Sequence, residues 1–351
     1  MSELVNRNHI VHAISGKDKD SKFVFNELKK IGVSYNSISL SRTGLNFVSD
    51  LKTIFSIAKV VNEIKPQIVI AYTLKPVVYA GIICRYYKIK FYYPMMTGLG
   101  YIFNSGSGFK RNLIRFVAEK LIKIGLKNCN KLIFQNVDNR NTFIKKGLID
   151  YSKSRVVDGS GVDIKKFEMT EIPNIKVINF LCIARLLKEK GLREYADAAK
   201  IVSSKFSNAK FHLVGPYDSS PDRIQIDEVE LWSDFLTYHG SSNDVQEHIK
   251  NCHIFVLPSY HEGIPRSSLE AMSMARPLIT TKASGCKETV LENINGFKVS
   301  IGSSKELAEK MIWFLNNRNK IKLMGMESRK LVEKKFDVEI INKNLIEIMN
   351  L

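Results

Sequence analysis

The chain has 351 residues, 44% of them hydrophobic and 25% charged, the composition of an ordinary globular protein with room for two domains. No apolar run reaches the roughly 20 residues of a membrane-spanning helix, and the opening MSELVNRNHI lacks the apolar core of a signal peptide, so a cytoplasmic protein is expected. Five scattered cysteines, Cys84, Cys129, Cys182, Cys252 and Cys286, form no Cys-x-x-Cys pair, which argues against a disulfide framework and against a zinc site.

The formal charge of +18 is unevenly distributed. Residues 1–166 hold 28 Lys+Arg against 11 Asp+Glu, a net of +17, while the remainder holds 25 against 24, a net of +1. A basic half beside a neutral half points to an anionic partner surface, either nucleic acid or an acidic membrane leaflet. Plain solubility charge is the simpler alternative.

In chain order, the β-branched or aromatic runs IVHAIS, YNSISL, IVIAY, KFYYPMM and KLIFQN alternate with helix-like segments, the rhythm of parallel βαβ units. A second series follows residue 170, with VINFLCIA, FHLVG, FLTYHG, HIFVLP and PLITT. The Gly-, Pro- and charge-rich stretch at 159–176 separates the two and reads as a linker. The expected organisation is two doubly wound domains facing each other across a cleft. The N-terminal domain is placed at 1–165 and the C-terminal one at 166–335, with a last helix at 336–351 packing back on the first.

Ligands of open parallel sheets bind beyond the carboxyl ends of the strands, so chemistry is sought in the loops just after them. SYHEGIPRSSLEAMSMARPLITT, at 259–281, places His261, Glu262 and Gly263 in such a loop and Arg266 to Ala275 in a helix. The N-terminus of that helix would present unpaired N–H groups and partial positive charge to an anionic or hydroxyl-rich ligand. Glu262 and Glu270 stand eight apart. Alone, the pair is explained as well by a helix-start carboxylate and a solvated helix residue. IARLLKEKG, at 183–191, follows the strand VINFLCIA; there Arg185, as a planar fork, and Lys190, as a point charge, could converge on a pyrophosphate.

Together with GSGVDIKKF (159–167), FHLVG (211–215) and GCKETVLENINGF (285–297), these segments resemble the family 4 glycosyltransferases, in order and at matching intervals. The resemblance implies the GT-B fold, two facing Rossmann-like domains, and metal-independent sugar transfer with retention of configuration. It implies that Arg185 and Lys190 hold the donor diphosphate, that Glu270 bonds the ribose hydroxyls and that Glu262 contacts the donor sugar. The backbone at Gly263 and Ile264 would approach that sugar closely. Glu262, Arg185 and Lys190 are thus the catalytic candidates, although Glu262 could by chemistry alone serve as a nucleophile. The chain departs from many relatives in reading Ile264, Pro265 and Arg266 where they have Phe-Gly-Leu, and Pro265 offers no N–H. It also has Thr97 and Gly98 where many place a histidine.

TGLGY at 97–101, YTLKP at 72–76 and FQN at 134–136 are similar to a bacterial subgroup that extends undecaprenyl-diphosphate-linked saccharides for O-antigen, capsule or glycan assembly. That resemblance makes Thr97, Gly98 and Lys75 acceptor-side candidates. It implies as partners a nucleotide sugar, UDP by default, carrying a hexose or N-acetylhexosamine, and a lipid-linked saccharide, with no nucleic acid and no metal cofactor. FKRNLIRFVAEKLIKIGLKN, at 109–128, can gather Phe109, Leu113, Phe116, Val117 and Ile124 on one side, with Lys110, Arg111, Arg115, Lys120, Lys123 and Lys127 supplying charge. It is a candidate anchor to the inner face of the membrane, each base adding about 1 kcal/mol near an anionic leaflet. An ordinary Rossmann helix with a basic outer face is the alternative.

Three competing readings remain open at this point. Asp18 and Asp20 form an Asp-x-Asp after IVHAIS, as in metal-dependent transferases; a GT-B relative could epimerise UDP sugars; and a pI near 9.5 could mark a nucleic-acid binder, though no basic strand with interleaved aromatics accompanies it. Lastly, SELVNRNHIVHAIS reads as the end of a first helix followed by a second strand, so the first strand of the usual order is expected to be missing, leaving unpaired ladder groups. Otherwise IVHAIS takes the first-strand role and Gly16 the loop role.

Overall fold

A computed structural model of the chain describes residues 1–17, 21–40, 47–98 and 109–351; the side chains of residues 47 and 109–111 fall outside that description. Two compact units result, one of Met1–Met96, Gly100–Ile133 and Phe143–Arg155, the other of Thr97–Leu99, Phe134–Thr142 and Val156–Leu351.

The N-terminal elements are α1 (Ser2–Asn6), β1 (His12–Gly16), α2 (Ser21–Lys30), β2 (Ser34–Ile38), α3 (Phe47–Ile64), β3 (Ile68–Tyr72), α4 (Leu74–Tyr86), β4 (Phe91–Met96), α5 (Phe109–Leu126), β5 (Leu132–Phe134), α6 (Val137–Lys145) and β6 (Ser154–Val156). β1 pairs in parallel with β2, and β3 pairs in parallel with β4, yet the order is broken between β1 and β3: one sheet is β1-β2, the other β3-β4-β5-β6. Among the described residues β1 therefore has a partner on one side only. Within that description it is not a doubly paired central strand. Ile14 on β1 and Ile68 to Ile70 on β3 stay half-buried, whereas β4, paired with β3, is almost wholly buried.

α4 is apolar and buried from Val77 to Gly81 and packs against α5. On α5 the inward stripe is Ala118, Ile122 and Leu126. A second apolar stripe faces outward, with Leu113 54%, Phe116 57% and Ile124 48% exposed.

The second unit continues with β7 (Ile178–Ile183), α7 (Leu192–Ser203), β8 (Ala209–Val214), α8 (Ile226–Glu230), β9 (Thr237–Tyr238), α9 (Val245–Lys250), β10 (Ile254–Leu257), α10 (Arg266–Ser273), β11 (Leu278–Thr281), β12 (Gly296–Val299), α11 (Ser304–Asn316), α12 (Asn319–Lys335) and α13 (Val338–Met349). Its six strands are all parallel, in the order β12-β11-β10-β7-β8-β9. Burial on both faces explains the unbroken apolar run of β10 and the full burial of β11, since helices cover both sides of such a sheet. Caps fix where several helices begin: the Asp244, Ser303 and Asp337 side chains accept backbone N–H groups at the starts of α9, α11 and α13.

α10 stops at Ser273, two residues short of the expected Ala275, because Ala275 turns left-handed with φ 61°. That turn sends Arg276 into the core, where it is fully buried. Its guanidinium donates to the carbonyls of Ile249, Thr170, Met274, Glu171 and Lys250 and to the Thr170 hydroxyl, which satisfies a charge that would otherwise be very costly to bury. The linker is thereby stapled to the second unit.

Candidate functional site

The order of the second sheet reverses between β7 and β10, and the loops that leave the carboxyl ends of these two strands carry the candidates. After β7 come Arg185 and Lys190; after β10 come Ser259 to Gly263, and then α10. Gly191 lets the first loop turn back, because its φ is 68° and a Cβ there would overlap the Pro258 carbonyl. The sheet alone thus brings Lys190 beside the 258–263 segment.

Lys190 Nζ donates to Glu262 Oε1 at 2.6 Å, and both side chains are largely buried, 13% and 16% exposed. The Ser259 hydroxyl donates to the same oxygen at 2.9 Å. Glu270, in the second turn of α10, is paired with Arg266 at 3.0 Å, and its carboxyl lies above the ordinary range because burial outweighs that cation. Arg185 Nη1 donates to Asp218 Oδ2 at 2.9 Å. Burial raises the Glu189 carboxyl, Lys190 opposes, Glu262 adds to the rise and Arg185 opposes again, so all these charges share one neighbourhood.

Segments distant in sequence complete the same unit. Asn136, 2% exposed, donates from Nδ2 to the carbonyls of Gly263 at 2.6 Å and Glu262 at 3.3 Å. Its Oδ1 accepts from the Asn139 N–H at 2.8 Å and the Ser284 hydroxyl at 3.0 Å. His261 Nε2 lies 2.9 Å from Asn139 Oδ1, and burial pushes its imidazole below the ordinary value, which favours the neutral ring. Gly263 admits no side chain: a Cβ would overlap the Thr97 carbonyl and the Gln135 amide oxygen. Gly98 approaches the Gly263 amide as well. Ile264, 7% exposed, packs against Gly159 of the linker motif. Among the described residues Asn139 Nδ2 and the Ser268 hydroxyl are buried without a hydrogen-bond partner.

Of the expected site residues, the structure joins Lys190 with Glu262, and Thr97 and Gly98 with Gly263. It places Arg185 on the neighbouring loop and Glu270 in the helix that follows. Lys75 belongs to the first unit, where it pairs with Asp50 at 2.9 Å. Lys120, Lys123 and Lys127 are exposed on α5 and Arg115 is half-buried, while the side chains of Lys110 and Arg111 lie outside the described residues. So do Asp18 and Asp20 of the Asp-x-Asp reading, and residues 99–101 of TGLGY. Among the described residues no three His, Cys, Asp or Glu side chains are grouped to hold a metal ion. Sequence reasoning passed over Asp218, Asn136, Asn139 and the role of His261; FQN at 134–136 was the one signal that touched them.

Two α/β units, one of them a doubly wound parallel sheet, match the GT-B class of sugar transferases. HepE of Anabaena, solved with UDP and glucose, has this fold, matching with a TM-score of 0.77 over 97% of this chain and 91% of its own at 19% identity. The model of the Glycosyl transferase 4-like family matches residues 1–136, and that of Glycosyl transferases group 1 matches residues 178–317. The N,N'-diacetylbacillosaminyl-diphospho-undecaprenol alpha-1,3-N-acetylgalactosaminyltransferase of Campylobacter jejuni is 30% identical across 89% of this chain and 86% of that protein. The capsular polysaccharide biosynthesis glycosyltransferase CapM of Staphylococcus aureus is 28% identical over 98% and 90%. The chain belongs to the family 4 glycosyltransferases.

Proposed function

We propose that the enzyme transfers a hexose or N-acetylhexosamine from a nucleoside diphosphate sugar, by default a UDP sugar, to a lipid-diphosphate-linked saccharide in surface polysaccharide assembly, with retention of configuration. The observation that carries this reading is the Lys190–Glu262 pair at the reversal point of the sheet, with Arg185 on the adjoining loop. As the C1–phosphate bond breaks, negative charge grows on the distal phosphate, and Arg185 and Lys190 neutralise it in place of a divalent ion. The acceptor oxygen attacks C1 on the same face, and its proton passes to the departing phosphate oxygen. Glu270 bonds the ribose and Glu262 the sugar, while Thr97, Gly98 and Lys75 serve the acceptor side. The Campylobacter relative, named for an undecaprenol diphosphate acceptor, and the UDP-bound HepE support the two substrate classes.

No helix among the described residues is long and apolar enough to cross a membrane. The outward stripe of Leu113, Phe116 and Ile124 beside exposed Lys120, Lys123 and Lys127 supports peripheral docking of α5 on an anionic inner leaflet, rather than binding to nucleic acid.

The test offers the purified enzyme a panel of nucleotide sugars with a lipid-diphosphate monosaccharide, in chelator, and identifies products by mass. A lengthened lipid saccharide with the α linkage retained is expected. Donor turnover without acceptor would indicate an epimerase, and activity only with added divalent ion would overturn the metal-independent mechanism. Changing Lys120, Lys123 and Lys127 to Glu should weaken binding to anionic liposomes and slow a lipid acceptor more than a soluble one; equal loss on both would refute the docking role.

A further inference from the structure

Each donor-side cation sits on a carboxylate: Lys190 on Glu262, Arg266 on Glu270 and Arg185 on Asp218. The first two carboxylates already have roles in the proposed reaction, and Asp218 has none. β7 and β8 run side by side with Ile183 opposite Val214, so the loops bearing Arg185 and Asp218 leave the same edge of the sheet. Their backbones are locked together: Leu186 donates to the Pro216 carbonyl at 3.1 Å, Lys188 to Asp222 at 2.9 Å, and Ile224 back to Leu186 at 2.9 Å.

Asp218 is itself held before it meets Arg185. Its Oδ1 accepts the Ser220 N–H at 2.8 Å, which aims Oδ2 at the guanidinium. Burial would raise its carboxyl, but the Ser220 N–H and hydroxyl and then Arg185 together hold it below the ordinary range. The carboxylate side chain is 16% exposed and the arginine 55%, so the fixed, sheltered partner is the acid and the presented one is the base. Among the described residues the guanidinium makes this one hydrogen bond, and its planar fork has further N–H groups to offer.

We infer that Asp218 is a positioning residue for sugar transfer: it grips one N–H of Arg185 and turns the rest of the fork toward the donor diphosphate. This rests on the reading of Arg185 as a diphosphate contact. A carboxylate that merely occupied Arg185 until the donor displaced it would have the opposite effect on affinity, which makes the two roles separable.

The test is donor kinetics at saturating acceptor for Asp218→Asn, Asp218→Glu, Arg185→Ala and the double variant Arg185→Ala/Asp218→Asn, each checked for a wild-type melt. Asp218→Asn should lower kcat/KM for the donor about 10- to 100-fold, the scale of a misaligned reactive contact. Asp218→Glu should recover part of the loss. The double variant should be no slower than Arg185→Ala alone, since with the arginine gone Asp218 has nothing to orient. Tighter donor binding in Asp218→Asn, or losses that multiply in the double variant, would overturn the inference. Full speed in Arg185→Ala would instead overturn the diphosphate assignment beneath it.

Discussion

Asn136→Ala isolates what the 134–142 segment does for the 261–263 loop. The wild-type side chain makes three well-placed hydrogen bonds, to the Gly263 carbonyl, the Asn139 N–H and the Ser284 hydroxyl, plus a longer one to Glu262. At 2% exposure the residue lies where little water can replace them. Each bond contributes about 1 kcal/mol net, and the backbone groups left orphaned make the loss larger than for an exposed site, so a total of about 3 kcal/mol is expected. For a domain of this size that corresponds to a fall of about 6–12 °C in melting temperature. Freed of its anchor, the Gly263 carbonyl no longer fixes Glu262 against Lys190, and kcat should drop about tenfold or more even where the protein is still folded. Asn136→Asp separates the two halves of the argument: it keeps the acceptor for Asn139 and Ser284 but turns a donor into an oxygen facing two carbonyls, so it should be no better than alanine. Calorimetry and donor-saturated transfer rates measure both effects. A melt within about 1 °C of wild type together with an unchanged rate for Asn136→Ala would show that these bonds do not hold the loop.

Three further outcomes follow from the same geometry. Lys190→Ala leaves the largely buried Glu262 without its cation and should cost about 2 kcal/mol of stability, discounted for partial exposure, and about a hundredfold or more in kcat, read by denaturant midpoint and turnover. Gly263→Ala drives a methyl into the Thr97 carbonyl and the Gln135 amide and should depress activity and melting temperature together, whereas an active, stable alanine variant would mean the loop has slack. Burial, with His239, His248 and Lys210 adding like charge, pushes His212 down to about 4, so its contribution to stability is full above about pH 6.5 and is lost as pH falls from there to about 4. After allowance for partial exposure the loss is about 2 kcal/mol; His212→Gln should flatten that part of the stability–pH curve, and an unchanged slope would refute it.

Much of the architecture can be read in the sequence because parallel strands buried on both faces leave continuous apolar runs: HIFVLP became β10 and VINFLCIA became β7. The strands that escaped notice, β6 and β12, are short and carry SRV and GFKV, where arginine, glycine or lysine dilutes the signal. That Lys190 and Glu262 meet was legible for a related reason, since they occupy fixed offsets after two adjacent strands of this kind. The other pairings were not. Asp218 is 33 residues from Arg185 and Asn136 is 127 from Gly263, and nothing local to an aspartate in a turn or an asparagine after a strand tells which distant group it will meet. Arg276 was hidden more completely, because a charged residue between a helix and a strand looks like surface until a left-handed Ala275 turns it inward.

The second unit is assembled from three stretches of chain, Thr97–Leu99, Phe134–Thr142 and Val156–Leu351. Anyone recombining halves of related transferases to trade one donor for another would naturally cut in the 159–176 linker. Such a cut sends Glu262 and Gly263 with one parent and Asn136, Asn139 and Thr97 with the other, so the seam runs through the hydrogen bonds that seat the 261–263 loop. A hybrid built that way inherits a 258–263 loop whose anchoring side chains come from a stranger. Carrying 97–99 and 134–142 across with the C-terminal half keeps those contacts within one parent, and places the boundary of inheritance where the fold, rather than the order of residues, puts it.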